Sequence, residues 1–128
     1  MRLLLDTHIW LWFVIEPRRI GRHTLQLLKN AENELWLSPI STWEALTLHS
    51  KKRINLAGDL NEWVSLATLG LKEALPTHEI AVAAGELPLH KDPVDRIIAG
   101  TALVLDLTLV TADERLLRLG SIRTLANR

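Results

Sequence analysis

The sequence predicts an α/β fold, a three-layer arrangement in which a central, mainly parallel sheet is flanked by helices. Two observations carry that reading. Short apolar runs of strand length recur at 2–5 (RLLL), 34–38 (ELWLS), 71–75 (LKEAL) and 107–111 (LTLVT), and segments of helical periodicity separate them. Strands that alternate with helices pair through crossovers, which makes neighbouring strands parallel. With 128 residues, 48% of them hydrophobic, the chain is long enough for one domain with a real core and too short for two ordinary ones. The expectation is a single domain over 1–128.

Taken in order, RLLL opens the sheet and Asp6 follows it directly. Residues 9–15 form the longest apolar run, far short of the roughly 18 residues that a membrane span needs. Residues 24–31 have a helical pattern, and ELWLS alternates as a strand does. A helix is predicted over 42–52, with Ser41-Thr42-Trp43-Glu44 as a capping box that puts Glu44 in its first turn. In the next helical segment, 60–69, Leu60, Trp63, Val64 and Ala67 share a stripe. The last predicted helix spans 93–105, with Val94, Ile97, Ile98, Ala102 and Leu105 on one face. It starts at Asp92-Pro93-Val94-Asp95, where proline suits the first helical position and acids suit the positive end of the helix dipole.

Composition narrows the function classes. Fifteen basic and fifteen acidic residues cancel, so the chain lacks the basic excess of domains that grip nucleic acid unaided, and any such surface is local. The absence of cysteine excludes disulfides, thiolate zinc sites and cysteine nucleophiles, and fits a reducing compartment. The start MRLLLD meets an acid too early for a signal peptide. The expectation is a cytoplasmic protein that does not enter a membrane.

Four acids stand out by position. Asp6 and Asp113 follow the first and the late strand, and Glu44 follows ELWLS. The carboxyl ends of parallel strands share one rim, where ligands of open α/β sheets bind. Asp95 reaches that rim from the side, through the loop LPLHKD. Each acid also suits a helix-capping role when read alone, and only their joint placement points to chemistry. Hydrolysis of a phosphodiester needs an activated water and neutralised phosphate oxygens, which bound divalent ions provide. An all-oxygen donor set selects Mg²⁺ or Mn²⁺ over zinc.

LLLDTHIWLW, STWE, HKDPVDR and LTLVTAD, in this order over essentially the whole chain, resemble the PIN-domain family, and within it bacterial toxins of the VapC type. The resemblance implies a metal-dependent endoribonuclease and carries the family's acidic quartet onto Asp6, Glu44, Asp95 and Asp113. It places a carboxylate-orienting hydroxyl at Thr111, and it implies an antitoxin partner and a homodimer. Ala112 departs from the arginine or asparagine that many relatives carry before the final acid. Thr7, His8, His90, Asp92 and Arg96 flank the quartet as supporting candidates. Against them stand bland roles: Asp92 as a cap paired with Arg96, and His90 as a loop residue.

Two basic clusters, Arg18, Arg19, Arg22 and His23, and then His49, Lys51, Lys52 and Arg53, are candidate phosphate contacts. The second is favoured, through Lys51 and Lys52. The five tryptophans fit core packing better than base stacking, with Trp10 and Trp43 left open. Two other function classes compete with a ribonuclease. One is a catalytically silent PIN-fold module that binds RNA or protein. The other is an aspartyl phosphatase, which D-T-H in place of D-x-D disfavours.

Overall fold

The computed structural model describes every residue except His90. Its sheet comprises β1 (Arg2–Leu5), β2 (Glu34–Leu37), β3 (Lys72–Glu73), β4 (Thr108–Thr111) and β5 (Thr124–Ala126), in the order β3-β2-β1-β4-β5. Every pairing is parallel. The helices are α1 (Thr7–Ile15), α2 (Arg22–Lys29), α3 (Pro39–Ser50), α4 (Leu60–Ala67), α5 (His78–Glu86), α6 (Pro93–Leu105) and α7 (Glu114–Leu117), with a 3₁₀ turn at Pro17–Arg19. Among the described residues, no helix is long and apolar enough to cross a membrane.

The expected strands all form, and α6 has the expected bounds. β5, α1, α5 and α7 add to them. Two helix starts are corrected. α2 begins at Arg22 rather than at residue 24. α3 begins at Pro39, because Ser38 caps it by accepting the Ile40 N–H and Pro39 fills the first position, where a missing N–H costs nothing. The expected capping box therefore does not exist: Ser41 lies buried inside the helix, and Glu44 lies in its second turn.

Two apolar layers sandwich the sheet, and β1 feeds both. Leu4 packs with Ile98, Ala99 and Ala102 of α6 and with Leu109 of β4. Its neighbours Leu3 and Leu5 turn to the other side, among Ile9 and Trp10 of α1, Leu28 of α2 and Ala45 of α3. That alternation is the period of a strand, and because both faces are covered β1 reads as an unbroken apolar run. Burial of each such leucine contributes about 2 kcal/mol. Trp10 is fully buried, donates its indole N–H to the Ala67 carbonyl at 2.8 Å, and meets Trp63 edge-on at 5.5 Å. It serves the core, as does Trp63.

Close packing also sets where α6 begins. A Cβ on Gly100 would lie 2.9 Å from the Ile80 carbonyl oxygen, so only glycine lets α5 press its backbone against α6. The Arg96 guanidinium donates to the carbonyls of Ala84, Leu87 and Leu89, at 2.7, 3.1 and 2.8 Å. Those bonds tie the end of α5 and the following loop to the first turn of α6, where Asp95 sits.

Candidate active site

In the order β3-β2-β1-β4-β5 the chain runs outward to one side of β1 and then returns to its other side, so the direction of winding reverses between β1 and β4. Ligands of open α/β sheets bind at such a reversal, beyond the strands' carboxyl ends. Asp6 and Asp113 follow those two strands.

Asp6 caps α1 and is 7% exposed. One carboxylate oxygen accepts the Thr7 N–H at 2.8 Å, and the other accepts the Thr111 hydroxyl at 2.6 Å. The same hydroxyl oxygen accepts the Asp113 N–H at 3.0 Å, so Thr111 joins two acids through one atom. Burial pushes the Asp6 carboxyl above its ordinary range. The bonds from Thr111 and Thr7 and the charge of His8 pull it back, while Asp113 adds to the rise. Thr7, itself fully buried, donates its hydroxyl to Ser41 at 2.9 Å and so fastens α1 to α3. Glu44 lies three residues beyond Ser41 on α3 and therefore shares its face.

Asp113 and Asp95 are held differently. Asp113 caps α7 by accepting the Arg115 N–H at 2.8 Å. The Arg115 guanidinium also grips that carboxylate with two bonds, 3.3 Å from Nε and 3.1 Å from Nη2. Its Nη2 lies 4.0 Å from Asp95. The bond to Asp113 holds the guanidinium proton above even its usual range.

These acids open onto one pocket of about 310 Å³, lined by Asp6, Glu44, Asp92, Asp95 and Asp113, with His8, Trp12, Ala112 and Arg115. A family model for the PIN domain matches residues 3–122. The chain belongs to the PIN-domain family. Over 116 residues it is 34% identical to Ribonuclease VapC22 of Mycobacterium tuberculosis, an alignment that covers 89% of this chain and 88% of that protein. Its fold is similar to VapBC2 from Rickettsia felis bound to a promoter DNA fragment, with a TM-score of 0.73, 20% identity and 98% of each chain covered. DNA-bound VapBC from Salmonella typhimurium superposes with a TM-score of 0.69 at 20% identity, over 100% of this chain and 99% of that one.

The pocket of this PIN domain has the donor chemistry for a hard divalent cation, since five carboxylates face one guanidinium among its lining residues and no sulfur is present. Its spacing is looser than its chemistry: among the described residues, no three acidic or histidine side chains form a cluster ready to clasp an ion. Arg115 already balances part of the charge on Asp113 and Asp95.

The four acids named from the sequence all line the pocket, and Asp92 and His8 join them on its wall. Asp92 caps α6 as expected, by accepting the Val94 N–H at 3.0 Å. Arg96 does not line the pocket, and its guanidinium donates to carbonyls at the end of α5 and in the loop that follows it. His90 lies outside the described residues. Lys51 and Lys52 lie beyond the far end of α3, away from the pocket lining. Trp43 is exposed and stands in a different hollow, against α4 and β3. Arg115 was not singled out in the sequence, Ser41 was named only as a helix cap, and Trp12 only as one of the five tryptophans. The one signal for Arg115 was its place two residues after Asp113, where a capping carboxylate and a guanidinium readily meet.

Proposed function

We propose that this PIN domain is a Mg²⁺- or Mn²⁺-dependent endoribonuclease and the toxin of a toxin–antitoxin pair. The observation that carries the reading is the convergence of Asp6, Glu44, Asp95 and Asp113 on one pocket at the winding reversal of the sheet. The likeness to a protein named a ribonuclease supports the reaction class, and the likeness to the VapBC assemblies supports an antitoxin partner. The reading includes a single domain that works as a homodimer in the cytoplasm.

A divalent ion bound by the four acids would supply charge neutralisation at the phosphate and a lowered pKa for water. The chain's own residues do the positioning. Thr111 and the Thr7 N–H fix both oxygens of Asp6, so that its carboxylate presents one orientation to the pocket. The Thr7–Ser41 bond sets α3, and with it Glu44, across from Asp6. Arg96 sets the start of α6, and with it Asp95. Such fixed donors need no reorganisation when a phosphate arrives, which is where rate enhancement of this kind originates.

The test is cleavage of an unstructured RNA by purified protein with and without Mg²⁺ or Mn²⁺. Asp6→Asn and Asp113→Asn should each lower the rate at least about a hundredfold while RNA binding persists. Cleavage that survives chelation, or both substitutions, would sink the proposal.

A further inference from the structure

The acid pocket repels the very polyanion it is proposed to cut, so an RNA strand has to be held by cations close beside it. Just such a groove adjoins it. A hollow of about 470 Å³ shares His8 and Trp12 with the acid pocket and continues past Arg19, Arg53 and Asn55. Beyond these, Arg53, Ile54 and Asn55 also border a further hollow that His49 and Lys52 complete. The three depressions form one track, from carboxylates through a tryptophan to a basic end.

The two basic clusters of the sequence meet on this track. Arg19 comes from the 3₁₀ turn after α1 and Arg53 from the loop after α3, yet both line the same groove. The His49 ring accepts the Leu56 N–H at 3.1 Å, which folds the 53–56 loop back toward α3. Arg19 lies over the Trp12 ring, 4.4 Å from its centroid, so tryptophan and guanidinium present a stacked pair where the groove joins the acid pocket. Among the described residues Glu16 is the one acid that lines the groove, and Arg18 pairs with it at 3.6 Å.

We propose that this groove carries the single-stranded RNA that flanks the cleaved phosphate. Arg19 and Arg53 bind backbone phosphates, and one base stacks on the Trp12–Arg19 pair. This rests on the ribonuclease reading and extends it from the reacting phosphate to its neighbours. Leu11, Ile15, Leu48 and Ile54 also line the groove, and beside them its guanidinium groups, aromatic plane and amide side chain are the groups that hold single strands without reading their sequence. The formal charge of zero requires that any such cationic surface be concentrated in one place.

Arg19 and Arg53 are both exposed, so Arg19→Gln/Arg53→Gln should leave the melting temperature within about a degree of wild type. The probe is a fluorescein-labelled, unstructured 12-nucleotide RNA, followed by anisotropy in EDTA over a salt series. The double variant should bind at least about tenfold more weakly at low salt. The slope of log Kd against log salt should fall by about 1.4, the contribution of two phosphate contacts on a single strand. Arg123→Gln, away from the groove, should leave both unchanged. Wild-type affinity and slope in the double variant, or an equal loss in Arg123→Gln, overturns the groove while leaving the nuclease reading intact. Unchanged RNA binding together with loss of an antitoxin complex would make the groove a protein-docking surface and also overturn it. A wild-type protein that neither binds nor cuts RNA removes the nuclease reading and the groove with it.

Discussion

On one side of the acid pocket Asp6 is buried, with both carboxylate oxygens held by hydrogen bonds from Thr7 and Thr111. On the other, Asp113 and Asp95 stand more open, and an exposed arginine supplies the countercharge. The first arrangement is rigid and places a charge where burial disfavours it. The second is balanced in part by a long side chain that lies exposed at the surface. If the pocket takes a divalent ion as proposed, Asp6 would stay in position throughout, while Asp113 and Asp95 would exchange the Arg115 guanidinium for the ion.

Thr111→Val should expose the difference most strongly. The substitution keeps the shape of a fully buried residue but removes the donor to Asp6 and the acceptor for the Asp113 N–H. Loss of a buried partner of this kind costs about 1–3 kcal/mol, several degrees of melting temperature in a domain of this size. Thr111→Ser should recover most of it. A valine variant as stable as wild type would mean that Asp6 is not held through this hydroxyl.

Asp6→Asn should act in the opposite direction on stability. The folded-state pKa of Asp6 lies above the ordinary 3.8. Between those two values the folded state keeps a proton that the unfolded state has lost, so stability falls as the pH rises through that window. Above it the wild type bears the full penalty of a buried carboxylate. Asparagine avoids that penalty and still accepts the Thr7 N–H as a cap. In EDTA at neutral pH the variant should be more stable by about 1 kcal/mol, a gain typical where a functional group has been held against its preference. The gap should close below pH 3.8, where both states of the wild type are protonated. A gap that persists there, or a destabilised variant at neutral pH, would contradict the burial account.

The positions of the acids, though not this contrast between them, were legible in the sequence, for reasons particular to each element. Asp6 and Asp113 could be placed because Asp6 directly follows one apolar strand and Asp113 comes two residues after another, and strand ends of a parallel sheet converge whatever the details of packing. α6 announced both its start, at Asp92-Pro93, and its apolar face. The start of α3 was misplaced because Ser38-Pro39 and Ser41-Thr42-Trp43-Glu44 both satisfy capping rules, and only tertiary structure chose between them, by taking Ser41 as the partner of Thr7. β5 has three residues at the sheet edge, too few for a periodicity to show. Arg19 and Arg53 were visible as charge, but their convergence depends on how the 3₁₀ turn and the loop after α3 fold, which no local pattern encodes.

Arg115→Ala probes the exchangeable side and should have the smallest effect on stability, since Arg115 is exposed and its ion pairs are screened by solvent. Its effect should fall on cation affinity. A divalent ion that takes Asp113 and Asp95 has to displace the guanidinium from both, so the arginine competes for the same oxygens. Without it, Mn²⁺ should bind severalfold more tightly by titration calorimetry, and the melting temperature should change little in EDTA but rise further than wild type on addition of Mn²⁺. Weaker Mn²⁺ binding would reverse the assignment, because Arg115 would then be the residue that holds Asp113 and Asp95 in place rather than the one that yields. The same titration on Thr111→Val separates the two sides of the pocket: loss of a fixed donor should weaken the ion's hold, where loss of the competing cation strengthens it.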